Sequence, residues 1–113
     1  MSYNDLSMPD YTGYLYKKSQ WLREWRKRYF ILKGKKLYFS DSASNDPHGE
    51  IDLESVINIT CIDEKSSISN GDENEKCFFQ LITRSYGTYY FYTENKKMRK
   101  DWMHVIERAI IFY

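Results

Sequence analysis

Cysteine and proline are scarce in this chain, and glycine is little more common: there are two Cys, two Pro and five Gly in 113 residues. Two cysteines are too few for a disulfide framework or a zinc cluster, and so little glycine and proline excludes collagen-like and low-complexity chains. No run of about eighteen apolar residues is present to cross a bilayer. Residues 1–5 also lack the basic-then-apolar order of a secretory signal. We therefore expect a cytoplasmic protein that uses no metal and no other cofactor.

Aromatic residues, by contrast, are abundant. They make up 18% of the chain, as eleven Tyr, six Phe and three Trp. Bulky rings suit the pleated, half-buried surface of a β-sheet, so the composition favours strands over an all-helical fold. A chain of this length that is 42% hydrophobic and 29% charged predicts one compact domain rather than a disordered segment.

Apolar and polar residues alternate in short segments that are separated by turn residues, which predicts antiparallel strands joined by hairpins. The stretch 63–75 is rich in Ser, Asn, Asp, Glu and Gly and predicts a mobile surface loop. Residues 1–10 predict a flexible leader, followed by a single domain over 11–113. The seven predicted strands are 12–18, 25–32, 37–40, 49–53, 56–62, 76–83 and 88–93.

The last segment, 94–112, changes to a helical period, with Thr93 as a candidate N-cap. Seven short strands tend to curl into two packed layers, and the apolar face of such a helix would close one end of them. We therefore predict a mostly β fold with one α-helix: a seven-stranded antiparallel barrel or sandwich, capped by a C-terminal amphipathic helix and open at its other end. The residues on the apolar helix face are Met98, Trp102, Val105, Ile106 and Ala109.

The two cysteines fall on consecutive predicted strands. Cys61 lies at the end of the fifth strand and Cys77 at the start of the sixth. This placement predicts that they face one another across a hairpin. In the cytosol we expect both to be free thiols that act as small apolar residues.

Charge is distributed unevenly along the chain. Residues 14–36 contain nine basic residues and one acid, a net charge of +8, whereas the rest of the chain carries −7. Such asymmetry produces a directional field that favours an anionic partner. The alternative is a charged hairpin that is simply solvated.

Alternation along the first two strands places cationic side chains on the inner face. Lys17 shares a face with Leu15, and Arg26 and Arg28 share a face with Phe30. If the apolar members point into the core, the three cations converge where the barrel opens to water. Like charges held together favour a multiply charged anion between them. The alternative is that these chains splay outward.

The tip of this first hairpin combines apolar and basic side chains. Trp21 and Leu22 lie among charges, and an amphipathic Trp ring suits a membrane interface, so both residues are candidates for membrane insertion. The alternative is that Trp21 folds back over the lysine stems. Lys18, Arg23 and Lys27 would add attraction to anionic head groups.

Several segments together resemble the pleckstrin-homology (PH) domain. They are Gly13–Lys18, Trp25–Leu32, Lys36–Phe39, Gly49–Leu53 and Trp102 of the last helix. The resemblance covers almost the whole chain, and its elements occur in the family's order. It implies a seven-stranded bent barrel capped by one C-terminal helix.

The resemblance also implies a binding site. Lys17, Arg26 and Arg28 match the motif of family members that bind phosphoinositides. His48 stands where related binders have a basic residue that reaches a phosphate, a contribution that should grow on acidification. Phe39 stands where a phosphate-contacting Tyr is common, so phosphatidic acid is a serious alternative ligand. The abundance of Lys, Asn, Ile and Tyr is typical of AT-rich genomes, and in this the chain is similar to acylated PH-domain proteins of apicomplexan parasites, which sense phosphatidic acid.

Three function classes follow. The first is a non-enzymatic membrane-targeting module, a peripherally associated monomer that binds phosphoinositide or phosphatidic acid. The second is a protein-interaction domain on the same fold, whose sign would be an exposed apolar strip such as Ile110, Ile111 and Phe112. An enzyme is disfavoured because the sequence suggests no catalytic residues: His48 and His104 lie on separate elements without a partner set. The acidic remainder of the chain also argues against nucleic acid.

Overall fold

The computed structural model describes residues 6–62 and 76–113. The predicted mobile loop, 63–75, and the first five residues of the predicted leader lie outside this range. The elements in chain order are β1 (Tyr11–Lys18), β2 (Trp25–Lys33), β3 (Lys36–Ser40), β4 (Gly49–Asp52), β5 (Val56–Ile62), β6 (Cys77–Thr83), β7 (Thr88–Thr93) and α1 (Lys96–Phe112).

The seven strands form one antiparallel sheet in the order β4-β3-β2-β1-β7-β6-β5. A single 3-10 turn, Leu53–Ser55, leads from one edge strand, β4, to the other, β5. Gly34 in the β2–β3 turn has a φ of 59°, a left-handed conformation that costs glycine little. The predicted mostly β fold with a C-terminal helix is confirmed.

The core follows the alternation seen in the sequence. Leu15, Phe30 and Phe91 are fully buried on the inner face of the sheet. Trp102 of α1 is also buried, and its ring packs edge-on against Tyr11 at a centroid distance of 4.7 Å. Tyr11 is the first residue of β1, so Trp102 closes the end of the barrel farthest from the β1–β2 loop. We call this the closed end.

The helix begins later than predicted. Thr93 is still the last residue of β7, paired with Cys77, and its hydroxyl donates to the carbonyl oxygen of Asn95. Asn95 is the N-cap: its side-chain oxygen accepts a 2.8 Å hydrogen bond from the backbone N–H of Met98. The predicted cap at Thr93 and helix start at residue 94 are therefore wrong, because the strand continues to the residue where the helix was expected to begin.

The cysteines do not face one another. Cys61 lies across from Phe79, and Cys77 lies across from Thr93. Both are free thiols; Cys61 is exposed and Cys77 is buried. The predicted juxtaposition is wrong because β5 and β6 pair with an offset that a residue count along the chain does not reveal.

The outer face of the sheet carries an aromatic cluster, which accounts for much of the Tyr and Trp content. The ring of Tyr16 stacks on that of Tyr92 at 4.3 Å, and the ring of Trp25 meets Tyr92 edge-on at 5.0 Å. The Lys27 ammonium lies 5.1 Å from the centroid of the Tyr14 ring. Such cross-strand pairs stabilise a sheet, and here they tie β1 and β2 to β7.

Candidate functional site

A cavity lies at the end of the barrel opposite Trp102, which we call the open end. Its volume is about 350 Å³. The β1–β2 loop and the loop between β3 and β4 form its rim. The residues that line it are Lys17, Ser19, Gln20, Trp21, Leu22, Arg26, Arg28, Phe39 and His48.

Strand register brings the three predicted cations to this cavity. Lys17 lies directly across from Arg26, and Leu15 lies across from Arg28. Because side chains two apart on a strand share a face, all three cationic side chains follow the inner rows that begin with Leu15 and Phe30. The side chains do not splay to separate sides.

Lys17 is a partly desolvated cation. Burial lowers the pKa of Lys17 below its ordinary value of 10.5, and the neighbouring Arg28 charge lowers it further. The Lys17 ammonium lies 5.2 Å from the centroid of the Phe39 ring and 5.5 Å from that of Tyr89. Within the described part of the chain, no carboxylate forms an ion pair with it. Lys17 is thus a partly buried charge held by aromatic faces.

The two arginines, in contrast, have carboxylate partners. Arg26 Nη2 lies 3.0 Å from Glu24 Oε2. Arg28 Nε lies 3.5 Å from Asp41 Oδ1, and His48 Nε2 lies 3.1 Å from the same oxygen. These side chains are partly exposed, and such pairs contribute only about 0–1 kcal/mol, so an incoming anion can displace the carboxylates.

Glu24 and Asp41 are not among the predicted site residues. Alternation along β2 indicates the first, and the register of β2 and β3 indicates the second. Glu24 is two residues from Arg26, so alternation places them on one face. Tyr29 pairs with Ser40 across β2 and β3. Continuing this register by one residue puts Asp41 beside Arg28, which is how the pair arises.

The β1–β2 loop is closed by its own hydrogen bonds. Ser19 N donates to Glu24 O at 2.7 Å, and Arg23 N donates to Ser19 O at 2.9 Å. Arg23 has a φ of 56°. The turn leaves the Trp21 side chain 94% exposed and Leu22 62% exposed. Trp21 therefore does not fold back over lysine stems.

The remaining predicted cations do not line this cavity. Lys18 lies on the outer face, its ammonium 5.8 Å from the centroid of the Tyr90 ring. Lys27 lies over Tyr14 on the same outer face. Arg23 projects from the loop, and together with Lys18 it lines a separate depression.

Comparison with known proteins agrees with this architecture. The family model of the PH domain matches residues 9–111. The chain belongs to the PH-domain family. The predicted family is thereby confirmed. One relative is "Pleckstrin homology domain-containing protein 1" of Arabidopsis thaliana, which is 33% identical over 106 residues, or 93% of this chain and 71% of that protein.

Two further relatives come from Dictyostelium discoideum. A PH domain-containing protein is 35% identical over 111 residues, covering 97% of this chain and 23% of that protein. A probable serine/threonine-protein kinase is 32% identical over 111 residues, but the match covers only 5% of the kinase. In these two relatives the match covers only a small part of the protein.

Solved structures show the same fold. The C-terminal PH domain of pleckstrin in complex with D-myo-Ins(1,2,3,5,6)P5 superposes with a TM-score of 0.72 at 23% identity, over 91% of this chain and 96% of that one. The same domain in complex with D-myo-Ins(1,2,3,4,5)P5 has a TM-score of 0.70 at 27% identity, over 90% of this chain and 98% of that one.

Proposed function

We propose that this PH domain is a non-catalytic membrane-recruitment module whose open end binds the phosphate of an anionic phospholipid head group. The observation that carries the proposal is the convergence of Lys17, Arg26 and Arg28 on one cavity. The lowered pKa of Lys17 reflects burial first and repulsion from Arg28 second. A phosphate between the two side chains would offset both costs through charge-assisted hydrogen bonds.

Two ligand classes fit this chemistry: phosphoinositides and phosphatidic acid. The complexes of the pleckstrin PH domain with inositol pentakisphosphates support a phosphoinositide. Phe39 lines the cavity without a hydroxyl, which supports a simpler head group such as phosphatidic acid. The similarity to apicomplexan phosphatidic-acid sensors stays a prediction.

The β1–β2 loop would bring the module against the bilayer. Trp21 and Leu22 project at the same end as the cavity, so a phosphate bound there would hold both side chains near the head-group layer. Trp is favoured at that depth. Each Lys or Arg close to an anionic surface adds roughly 1 kcal/mol, and Lys18, Arg23 and Lys27 belong to the hairpin that carries this loop. Peripheral association would need no helix crossing the membrane, and none in the described ranges is long and apolar enough to do so.

The decisive experiment is vesicle binding. Wild type should bind phosphatidylcholine vesicles that contain phosphatidic acid or phosphoinositides and should not bind phosphatidylcholine alone. Arg28→Ala should lose roughly 10- to 150-fold in affinity, since hydrogen bonds to charged groups contribute about 1.5–3 kcal/mol. Arg108→Ala, which removes the same charge from α1, is the matched control. Equal binding to neutral vesicles, or full binding by Arg28→Ala, would contradict the proposal.

A second candidate function is protein interaction. Ile57 is 60% exposed, and Ile111 and Phe112 are 70% and 71% exposed. Ile57 and Ile111 line one apolar groove between β5 and α1. Exposed apolar side chains grouped in this way are typical of a protein-binding surface. Ile111→Glu should disrupt binding of a protein partner there and leave vesicle binding unchanged.

A further inference from the structure

The sheet ends on two edge strands that differ in how well they are protected. β4 is only four residues long, Gly49–Asp52, and its Glu50 pairs with Lys36 at 2.9 Å. β5 is seven residues long, Val56–Ile62, and contains no charged residue and no proline. Short length, charge and proline are the usual features that keep a further strand from pairing with a sheet edge. β5 is therefore the edge that is open to another strand.

One side of β5 has a partner strand, and the other side has none among the described residues. The ladder with β6 is irregular only between Val56 and Asn58, and it is continuous from there to Ile62. In the ranges 6–62 and 76–113, no backbone hydrogen bond outside this ladder involves residues 58–62. An edge strand presents a row of unpaired N–H and C=O groups. On β5 these groups are available to the main chain of a partner.

An apolar groove accompanies this edge. It lies between β5 and α1 and has a volume of about 260 Å³. Cys61 Sγ lies 3.4 Å from Met103 Sδ, so strand and helix are in contact near the end of β5. Toward the start of β5 they leave the groove between them, with the side chains of Ile57 and Ile111 mostly exposed. An added strand would thus have a place for its side chains beside the one for its main chain.

Glu107 is the one charged residue among those that line the groove. It forms no ion pair with the described residues. Asp101, another acid of α1, instead pairs with Lys97 at 3.0 Å. An unpaired carboxylate beside exposed isoleucines complements a segment that is apolar and carries a lysine or arginine.

We propose that β5 and this groove bind an extended peptide segment of a partner protein, which adds to the sheet as a further strand; this inference rests on the second candidate function, protein interaction. The main chain of the peptide pairs with the open edge of β5. Because side chains alternate along a strand, every second one faces the groove. Those that face it are apolar, against Ile57 and Ile111, and one is a lysine or arginine that pairs with Glu107.

The test begins with a phage-displayed library of short random peptides, selected on the wild-type chain. The enriched peptides should carry apolar residues at alternate positions and one basic residue. Ile111→Glu should weaken their binding roughly 10- to 150-fold, the range for burial of a large aliphatic side chain. Melting curves should show that this variant and those below are folded.

A charge exchange tests the role of Glu107. Glu107→Lys should weaken binding of the enriched peptides roughly two- to fivefold, the range of a partly exposed ion pair. A synthetic peptide with glutamate in place of its basic residue should bind Glu107→Lys better than it binds wild type. Asp101→Lys makes the same change of charge on α1 outside the groove and should reproduce neither effect. Equal effects of the two variants would overturn the pairing with Glu107.

Methylation of the peptide nitrogens tests strand addition itself. Alternate N–H groups of an extended strand face the same neighbour. N-methylation at the positions that face β5 should therefore abolish binding, whereas methylation at the positions between them should leave it intact. Amide hydrogen exchange of residues 58–62 should also become slower when the peptide binds.

The outcomes separate this inference from the function on which it rests. If no peptide is enriched, or the enriched peptides bind Ile111→Glu as well as wild type, protein interaction at this groove fails and the inference fails with it. If Ile111→Glu loses binding but methylation shows no alternation, the groove binds protein and strand addition is overturned. A concentration-dependent dimer of wild type that Ile111→Glu dissociates would identify a second copy of this chain as the occupant and would also overturn the inference.

Discussion

The ring of Phe39 lies directly over Gly49, its partner across the β3–β4 pair. A Cβ atom added at Gly49 would lie 2.3 Å from Cζ of Phe39 and 2.7 Å from Cε2. The same ring approaches the Lys17 ammonium and meets the His48 ring edge-on at 5.3 Å. Because Gly49 has no side chain, the Phe39 ring can lie against its backbone and form the apolar wall of the cavity.

Gly49→Ala should displace the Phe39 ring and disturb the cavity. Overpacking of this kind costs about 1–3 kcal/mol, so we expect a lower free energy of unfolding and weaker binding to phosphatidic acid. Urea denaturation and vesicle sedimentation measure the two effects. The double variant Gly49→Ala/Phe39→Leu makes room for the new methyl group and should recover stability. An unchanged melting curve for Gly49→Ala would show that the ring moves at no cost.

Lys17→Met should separate binding from stability. The Met side chain is similar in length and uncharged, so it removes the desolvated ammonium beside Arg28 but keeps the packing against Phe39. We expect the variant to lose vesicle binding and to unfold at a higher temperature than wild type. Calorimetry without ligand checks the second effect, and a lower midpoint would contradict it.

The difference in stability between Lys17→Met and wild type should depend on pH through proton linkage. Since burial and Arg28 lower the pKa of Lys17 in the folded chain, the unfolded chain holds that proton to a higher pH. Stability rises with pH wherever the unfolded state binds more protons. The extra stability of Lys17→Met over wild type should thus be complete below the pKa of Lys17 in the folded chain and should vanish as the pH rises to the ordinary value of 10.5. A stability difference that grows with pH would contradict this prediction.

Trp21→Ser and Leu22→Ser should weaken membrane binding without affecting the fold. Both side chains are mostly exposed, and surface substitutions usually change stability by less than about 0.5 kcal/mol. Because both residues also line the cavity, we expect vesicle binding to fall by a larger factor than the affinity for a soluble head group, as measured by calorimetric titration. Phe112→Ser, an exposed aromatic residue on α1, is the control and should leave vesicle binding intact. Equal loss in the control would argue against insertion at the β1–β2 loop.

Trp102→Ala should destabilise the domain severely. Removing a buried Trp costs roughly 3–5 kcal/mol, out of a typical stability of about 5–15 kcal/mol. Trp102→Phe keeps an aromatic ring near Tyr11 and should lose less. Chemical denaturation measures both variants, and an unchanged midpoint for Trp102→Ala would show that this ring does not support the core.

The strands were predictable because their signal is local. Alternation around Leu15 and Phe30 identifies the inner face directly. In the last segment the apolar residues, Trp102 among them, recur at helical spacing. The start of α1 was not predictable in this way. Thr93 and Asn95 are both good caps by residue type, and only the pairing of Thr93 with Cys77 decides that the strand continues.

The candidate site was predictable in its cations but not in its carboxylates. Lys17, Arg26 and Arg28 follow from alternation within one hairpin. Asp41 meets Arg28 only because β2 and β3 pair with Tyr29 across from Ser40. A register between strands depends on how the whole sheet packs, so charge counting along the chain could not reveal this partner.

Trp102 and the Lys17 cavity lie at opposite ends of the same barrel. Substitutions around the proposed phosphate site are therefore remote from the aromatic packing under α1, and their effects should add to those of core substitutions. Under the proposed function, this separation opens the scaffold to engineering: residues of the β1–β2 and β3–β4 loops can be exchanged while the thermal tolerance of the domain is adjusted independently at the helix.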